Sequence, residues 1–163
     1  MAIQQKLVPN LWFDTEAEEA AEFYCSIFPN SRILGSSRYT EDSPGETGTV
    51  MTVEWEIEGT RFVGINGGPL FKFNEAVSFM ISCEDQDEID YYWEKLIAGG
   101  GEEGPCGWLK DRFGLSWQVT PKGMDELFGH PDPDRANRAM KAMLKMKKLD
   151  VEELRRAADG VPA

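Results

Sequence analysis

The chain has few of the side chains that bind transition metals or form disulfide scaffolds. Its 163 residues include one histidine and three cysteines. The cysteines, Cys25, Cys83 and Cys106, are odd in number and show no CxxC spacing. This pattern argues against a disulfide framework and against a zinc knuckle, so three free thiols are predicted.

Basic residues and long apolar runs are also scarce. The chain has 17 Lys and Arg residues and 29 Asp and Glu residues, which gives a net charge of -12. Because affinity for nucleic acids comes mainly from Lys and Arg displacing counterions, no nucleic-acid partner is predicted. The sequence shows no apolar run of ~18 residues and no basic stretch before an apolar one at its start. We therefore expect a cytoplasmic protein without a membrane partner.

The sequence does contain an internal repeat of one pattern of apolar residues. Apolar residues recur at helical spacing in FDTEAEEAAEFYCSIFP and again in SCEDQDEIDYYWEKLIAGGG. Each stretch follows a short apolar strand, Leu7 to Phe13 or Val77 to Cys83, and further strand-like runs follow each. Asp14 and Thr15 are predicted to cap the first helix. Two half-domains of strand, helix and several strands predict a duplicated α+β fold, with a cleft for a small molecule.

The predicted boundaries divide a single domain, 1–163, into three parts. Module 1 covers about residues 5–68, module 2 about 73–121, and a helical extension 131–159. Asp132 and Pro133 begin an extension helix that is predicted to run to about Lys148, and Asp150 caps a short last helix. The apolar stripe of the longer helix should dock on the body or on a second subunit; it comprises Ala136, Ala139, Met140, Met143 and Leu144.

Several longer segments are similar to one family. FNEAVSFMISCEDQDEIDYYWEKLIAGGGEEGPCGWLKDRFGLSWQVTP resembles the PhnB-like group of the vicinal oxygen chelate superfamily, as do NLWFDTEAEEAAEFYCSIFPNS, FVGINGGP and the tail DPDRANRAMKAMLKMKKLD. The superfamily includes lactoylglutathione lyase, extradiol dioxygenases, fosfomycin-inactivating transferases and bleomycin-binding proteins. The resemblance implies two paired βαβββ modules that form a cupped mixed sheet, with C-terminal helices added, and a homodimer.

The resemblance also states what a metal site would need. Superfamily enzymes hold a divalent metal with His and Glu side chains from both modules. The matching closing-strand positions are Val63 and Gln118, which supply no carboxylate, and the only histidine, His130, lies beyond the last strand as a surface or cap residue. We therefore predict neither a metal nor a cofactor. Many members of the group carry a methyltransferase label, but no Gly-rich strand-to-helix turn for adenosylmethionine occurs in this sequence.

Aromatic and polar strand residues are the remaining candidates for ligand binding. An aromatic-lined cup suits a flat or cationic organic ligand. Glu54 is a candidate base or partner for a cation if its face of the strand lines the cup, and a solvated residue otherwise. Cys106 is predicted to be an inert thiol. The predicted ligand-binding residues are Trp12, Glu54, Asn66, Phe79, Trp108 and Gln118.

Three functions remain open from the sequence. The favoured one is a metal-free protein that binds a small molecule, with an aromatic cation as the expected ligand. The alternative is an enzyme of the same superfamily, of the lyase, dioxygenase or transferase type, with a non-standard active site. The third is a structural homodimer without a ligand. Only the resemblance to the superfamily supports the enzyme hypothesis, and a shared fold does not by itself imply a shared function.

Overall fold

The fold consists of two compact units, one ending at Phe73 and one beginning at Asn74. A computed structural model describes residues 5–162 of the chain. Each unit contains a four-stranded mixed sheet. Each sheet has a long helix packed on one face, so the predicted α+β class with two similar modules is confirmed. Within the described residues, no helix is both long and apolar enough to cross a bilayer.

The first unit follows the predicted order of strand, helix and three strands. Its strand order across the sheet is β1-β4-β3-β2, with β1 parallel to β4 and the other pairs antiparallel. The elements are β1 (Asn10–Phe13), α1 (Ala17–Ile27), β2 (Ser31–Arg38), β3 (Val50–Ile57) and β4 (Thr60–Asn66).

Alternation along β3 decides which face of the first sheet is buried. Val53, Trp55 and Ile57 are buried, and the intervening residues are only half-buried. The Trp55 ring stacks on Phe62 with centroids 5.9 Å apart and lies 6.0 Å from the Tyr24 ring of α1. Since successive strand residues point to opposite faces, Glu54 lies on the face away from α1.

The start of α1 depends on a residue far away in the sequence. The helix begins at Ala17 after Glu16, which makes no side-chain capping bond. The Ala17 N–H instead donates to the Oδ1 of Asn66 at 2.8 Å. The prediction that Asp14 or Thr15 caps this helix was therefore wrong, because an amide from the last strand occupies the position of a cap.

The second unit repeats the order and then adds helices. Its strand order is β5-β8-β7-β6, with β5 parallel to β8. The repeat comprises β5 (Ser78–Cys83), α2 (Gln86–Ile97), β6 (Glu102–Glu103), β7 (Trp108–Lys110) and β8 (Ser116–Pro121). The added helices are α3 (Met124–Phe128), α4 (Pro133–Met143) and α5 (Val151–Ala158).

A buried carboxylate organises the turn between β7 and β8. Asp111 is 2% exposed. Its Oδ1 accepts the N–H groups of Phe113 (2.9 Å) and Leu115 (3.1 Å), and its Oδ2 accepts the indole N–H of Trp117 (2.9 Å). With Trp117 held on this side, the next residue, Gln118, lies on the opposite face of the sheet.

The extension helices match the predicted starts better than the predicted lengths. Asp132 and Asp150 each accept a backbone N–H at the start of α4 and α5, as predicted. However, α4 ends at Met143 and does not reach Lys148, because the backbone of the following residues bonds to another loop. Of the predicted stripe, Ala139 is fully buried whereas Leu144 is 62% exposed.

Candidate functional site

In the first unit, two of the predicted ligand-binding residues lie on the sheet face away from α1. Trp12 is half-buried, and its indole N–H donates to the carbonyl of Gly68 at 2.9 Å. Glu54 forms an ion pair with Arg61 at 2.9 Å, and its side chain is 37% exposed. Within the first unit Glu54 is therefore a half-exposed carboxylate that is already paired with Arg61, which matches the solvated one of the two alternatives that the sequence left open.

Asn66 has a structural task in this unit. Its Oδ1 caps α1, and its Nδ2 donates to the carbonyl of Val50 at 3.1 Å. The Tyr39 hydroxyl donates to its backbone carbonyl at 2.6 Å. Asn66 also lines a cavity of about 510 Å³ beside Asp14, Glu18 and other residues. Because both ends of the amide are already bonded, holding α1 to the sheet accounts for the residue without a ligand.

In the second unit, Gln118 and Trp108 lie opposite each other on neighbouring strands and share a face. The Gln118 amide donates to the Ser78 hydroxyl at 2.9 Å. Phe79 lies on the other face, with its ring 5.7 Å from that of Trp117. Strand alternation therefore separates Phe79 from Gln118 and Trp108 within the second unit.

A cavity of about 420 Å³ lies beside β6 and β7 of the second unit. Its volume falls in the range of small-molecule sites. Of the predicted residues, Trp108 contributes to it. The lining residues are Glu75, Glu102, Glu103, Gly104, Pro105, Cys106, Trp108, Leu109, Lys110 and Ser116. We call this space the β7 cavity.

Charged side chains surround the apolar wall of the β7 cavity. Glu75 forms an ion pair with Lys110, and the hydrogen bond between them lowers the pKa of Glu75 and raises the pKa of Lys110. The pKa of Glu103 is lowered, first by a hydrogen bond from the Trp93 indole and then by Lys147. Both carboxyl groups are therefore ionised at neutral pH, and with Glu102 they give the rim an excess of negative charge.

Two small polar residues of the β7 cavity have unusual local structure. Cys106 has a φ of 57°, which is rare for a residue other than glycine, and it is half-buried. Ser116 is 1% exposed, and its hydroxyl has no hydrogen-bond partner among residues 5–162. A buried polar atom without a partner is uncommon and calls for a water or ligand.

The β7 cavity was not predicted from the sequence, for an identifiable reason. Cys106 was predicted to be an inert thiol, and the two-residue strand β6 (Glu102–Glu103) was not predicted. The pairing of Glu102 with Lys110 and of Glu103 with Leu109 brings the acidic pair next to Trp108. The sequence feature that could have indicated the cavity is the pair of adjacent acids, Glu102 and Glu103, followed by Pro105 and Trp108.

Among residues 5–162, the side chains at the positions predicted to match the metal site of the superfamily do not supply its carboxylate donors. No group of three or more His, Cys, Asp or Glu side chains in the described residues is placed to hold a metal. Val63 lies opposite Glu54 and has no donor atom, and the Gln118 amide is bonded to Ser78. His130 is exposed, and its Nδ1 accepts the N–H of Asp132 at 3.1 Å, which confirms its assignment as a surface residue beside a helix cap.

Two mixed four-stranded sheets, each covered by a helix that follows its first strand, define a protein of the vicinal oxygen chelate fold. The chain belongs to the family described as 3-demethylubiquinone-9 3-methyltransferase, whose sequence model matches residues 5–120. The predicted family is thereby confirmed. The tail that we included in the resemblance lies outside this match.

Solved structures show the same relationship. The chain is 36% identical to a putative 3-demethylubiquinone-9 3-methyltransferase, PhnB protein, from Bacillus cereus, with a TM-score of 0.63 over 72% of this chain and 99% of that one. Protein PA1353 from Pseudomonas aeruginosa is 18% identical, with a TM-score of 0.59 over 73% and 98%. The E126Q mutant of the fosfomycin resistance protein FosX from Listeria monocytogenes, complexed with Mn(II) and 1S,2S-dihydroxypropylphosphonic acid, is 19% identical, with a TM-score of 0.52 over 74% and 93%. The last two likenesses show the fold alone. Among curated proteins, none matches this chain.

Proposed function

We propose that this protein binds a small organic molecule in the β7 cavity without the help of a metal ion. The single observation that carries the proposal is the cavity itself, about 420 Å³ with Pro105, Trp108 and Leu109 in its lining. An apolar cavity with a few convergent polar groups is the usual form of a small-molecule site. The Ser116 hydroxyl adds a polar group that awaits a partner.

The chemistry of the rim favours a ligand with an aromatic or apolar body and a positive charge. Trp108 lines the cavity, and a contact between a cation and the face of a tryptophan ring contributes about 0.5–2 kcal/mol. Glu102 and Glu103 are exposed at the rim, and the whole chain carries a net charge of -12. Such a field attracts cations and repels phosphates and other anions. Glu54, which the sequence suggested for this role, is already paired with Arg61.

We propose binding without a metal because most of the carboxylates that could bind one are already bonded to other side chains. The β7 cavity contains three carboxylates and one thiol, but Glu75 is bonded to Lys110 and Glu103 to Trp93 and Lys147. Releasing these carboxylates to a cation would leave Lys110 and the Trp93 indole without their partners. An organic cation that stacks on a ring and is attracted by the charge of the rim leaves these hydrogen bonds and ion pairs in place.

Calorimetric titration with a matched pair of probes tests the proposal. Benzyltrimethylammonium carries the aromatic ring and a positive charge, and phenylmethanesulfonate carries the same ring with a negative charge. We expect the cation to bind with micromolar to millimolar affinity, and the anion at least about tenfold more weakly, which corresponds to 1.4 kcal/mol.

Two variants locate the binding. Trp108→Leu should abolish most of the affinity for the cation, because it removes the tryptophan ring from the lining of the cavity. Trp12→Leu is the matched comparison, since Trp12 is also half-buried on a strand and was predicted to bind ligand but is not among the residues that line the β7 cavity; an equal loss of affinity in this variant would contradict the proposed location. Tighter binding of the sulfonate would refute the charge argument. Equal affinities for the wild-type protein and Trp108→Leu would show that the ligand does not occupy the β7 cavity.

A further inference from the structure

The C-terminal extension is an addition to the shared fold. The family match ends at residue 120. The Bacillus cereus protein aligns over 99% of its own length but over only 72% of this chain. The described residues after Pro121 make specific contacts with the rest of the second unit, and some of these contacts are made with residues in one wall of the β7 cavity.

Two backbone hydrogen bonds attach the extension to this wall. The N–H groups of Cys106 and Gly107 donate to the carbonyls of Met146 and Lys147, at 2.8 Å and 2.7 Å. Gly107 has a φ of 82°, and a Cβ at this position would lie 3.0 Å from the Leu149 side chain. The close approach therefore requires glycine, and Leu149, which is 0% exposed, fills the space beside it.

The same segment is fixed to α2 on its other side. The Gln86 amide donates to the carbonyl of Leu149 at 3.0 Å and accepts the N–H of Val151 at 2.9 Å. Lys148 forms an ion pair with Asp90 at 2.7 Å. We call Met146–Leu149 the clamp segment, because it is anchored to α2 and at the same time bonded to the loop with Cys106.

The clamp segment also reaches the charged rim. The Lys147 ammonium group lies 3.6 Å from a carboxylate oxygen of Glu103, whose other oxygen accepts the indole N–H of Trp93 at 2.9 Å. One short stretch of the extension thus contacts two cavity-lining residues, Glu103 through its side chain and Cys106 through its backbone. Cys106 stands in a conformation with positive φ, which needs such support.

We propose that the clamp segment positions the wall of the β7 cavity from Glu103 to Cys106 and thereby sets how tightly a ligand is held. The part of the proposal that concerns ligand affinity rests on the proposed function. The positioning itself is measurable without any ligand, because the Cys106 thiol reports on the loop that carries it.

The first experiment measures the alkylation of each cysteine by iodoacetamide, resolved by mass spectrometry, in the full-length protein. Leu149→Ala removes the side chain beside Gly107, and we expect alkylation of Cys106 to become about tenfold faster as the loop opens locally. Leu154→Ala is the matched control, since Leu154 is an equally buried leucine of the extension that lines a different cavity. It should leave the rate at Cys106 within about twofold.

Cys83 serves as the internal reference for global unfolding. It is 0% exposed, and burial raises the pKa of its thiol to about 12. Faster alkylation at Cys106 with no change at Cys83 indicates local release of the loop. Gln86→Ala, which removes two hydrogen bonds to the extension without touching its core, provides a second and milder variant. An unchanged Cys106 rate in both Leu149→Ala and Gln86→Ala overturns the proposal.

The second experiment measures the affinity for benzyltrimethylammonium in the same variants. We expect Leu149→Ala and Gln86→Ala to weaken binding by about threefold or more, and Leu154→Ala to match the wild type. Suppose that Trp108→Leu abolishes binding and that Cys106 is alkylated faster in Leu149→Ala and Gln86→Ala. Unchanged affinity for the cation in these two variants would then refute the role of the clamp segment in affinity. If the wild-type protein binds no cation, the proposed function fails, and the alkylation rates still decide whether the clamp segment positions the loop.

Discussion

Replacing the buried Asp111 by alanine is the sharpest test of how the second unit is held together. The substitution removes the acceptor of three N–H groups, those of Phe113, Leu115 and the Trp117 indole. Leu115 and Trp117 are 2% and 4% exposed, so water does not replace the lost partner at either. The turn that joins β7 to β8, and with it the position of Trp108, depends on these bonds.

The expected loss follows from the two buried donors. A buried donor left without a partner costs about 1–3 kcal/mol, so stranding two of them costs about 2–6 kcal/mol. Relief from burying a carboxylate offsets part of this cost. We expect a net decrease of about 3 kcal/mol in the free energy of unfolding, which is a large share of the roughly 5–15 kcal/mol typical of a folded domain.

Urea unfolding followed by circular dichroism measures this decrease, and a double-mutant cycle assigns it. Asp111→Asn keeps one oxygen but turns an NH₂ group towards one of the donors, so a loss of about 2 kcal/mol is expected. Trp117→Phe removes the indole donor. The double variant Asp111→Ala with Trp117→Phe should lose about 1 kcal/mol less stability than the sum of the losses in the two single variants. Strict additivity, or a loss below about 1 kcal/mol for Asp111→Ala, would refute the reasoning.

Four further outcomes are expected. Ser116→Ala should leave stability unchanged or raise it by up to about 1 kcal/mol, because it removes a buried hydroxyl that has no partner in the described part of the chain; a clear loss in urea unfolding contradicts this. The lowered pKa of Glu103 in the folded state contributes stability above the pKa of the unfolded chain, which is lost as pH falls through the folded pKa. Glu103→Gln should therefore flatten the acid side of the stability profile, and a profile parallel to that of the wild type argues against the contribution. Elemental analysis after purification without chelators should find no stoichiometric zinc, iron, nickel or manganese; about one ion per chain would overturn the metal-free proposal. Light scattering should report a homodimer, and a monomer at micromolar concentration would refute that prediction.

Local rules in the sequence determined the elements and their repetition. Helical spacing in α1 and α2 and alternation in β3 place each apolar face, because both patterns depend only on neighbours in the chain. The helix start at Asp132 and the cap at Asp150 were predicted for the same reason, since a cap bonds to an N–H two or three residues away. The opposite directions of Trp117 and Gln118 follow from alternation alone.

The β7 cavity and the partners of the polar residues were decided only by the tertiary structure. Asn66 caps a helix that begins 49 residues earlier, and Arg61 neutralises Glu54 across a strand pair. The N–H groups of Cys106 and Gly107 donate to carbonyls of an extension that lies outside the family match. Hydrogen bonds and ion pairs between distant segments depend on strand register and helix docking, and no local pattern of residues encodes these distances. The residue types that can bind a ligand were therefore visible in the sequence, whereas the distinction between those free to do so and those bonded within the fold was not.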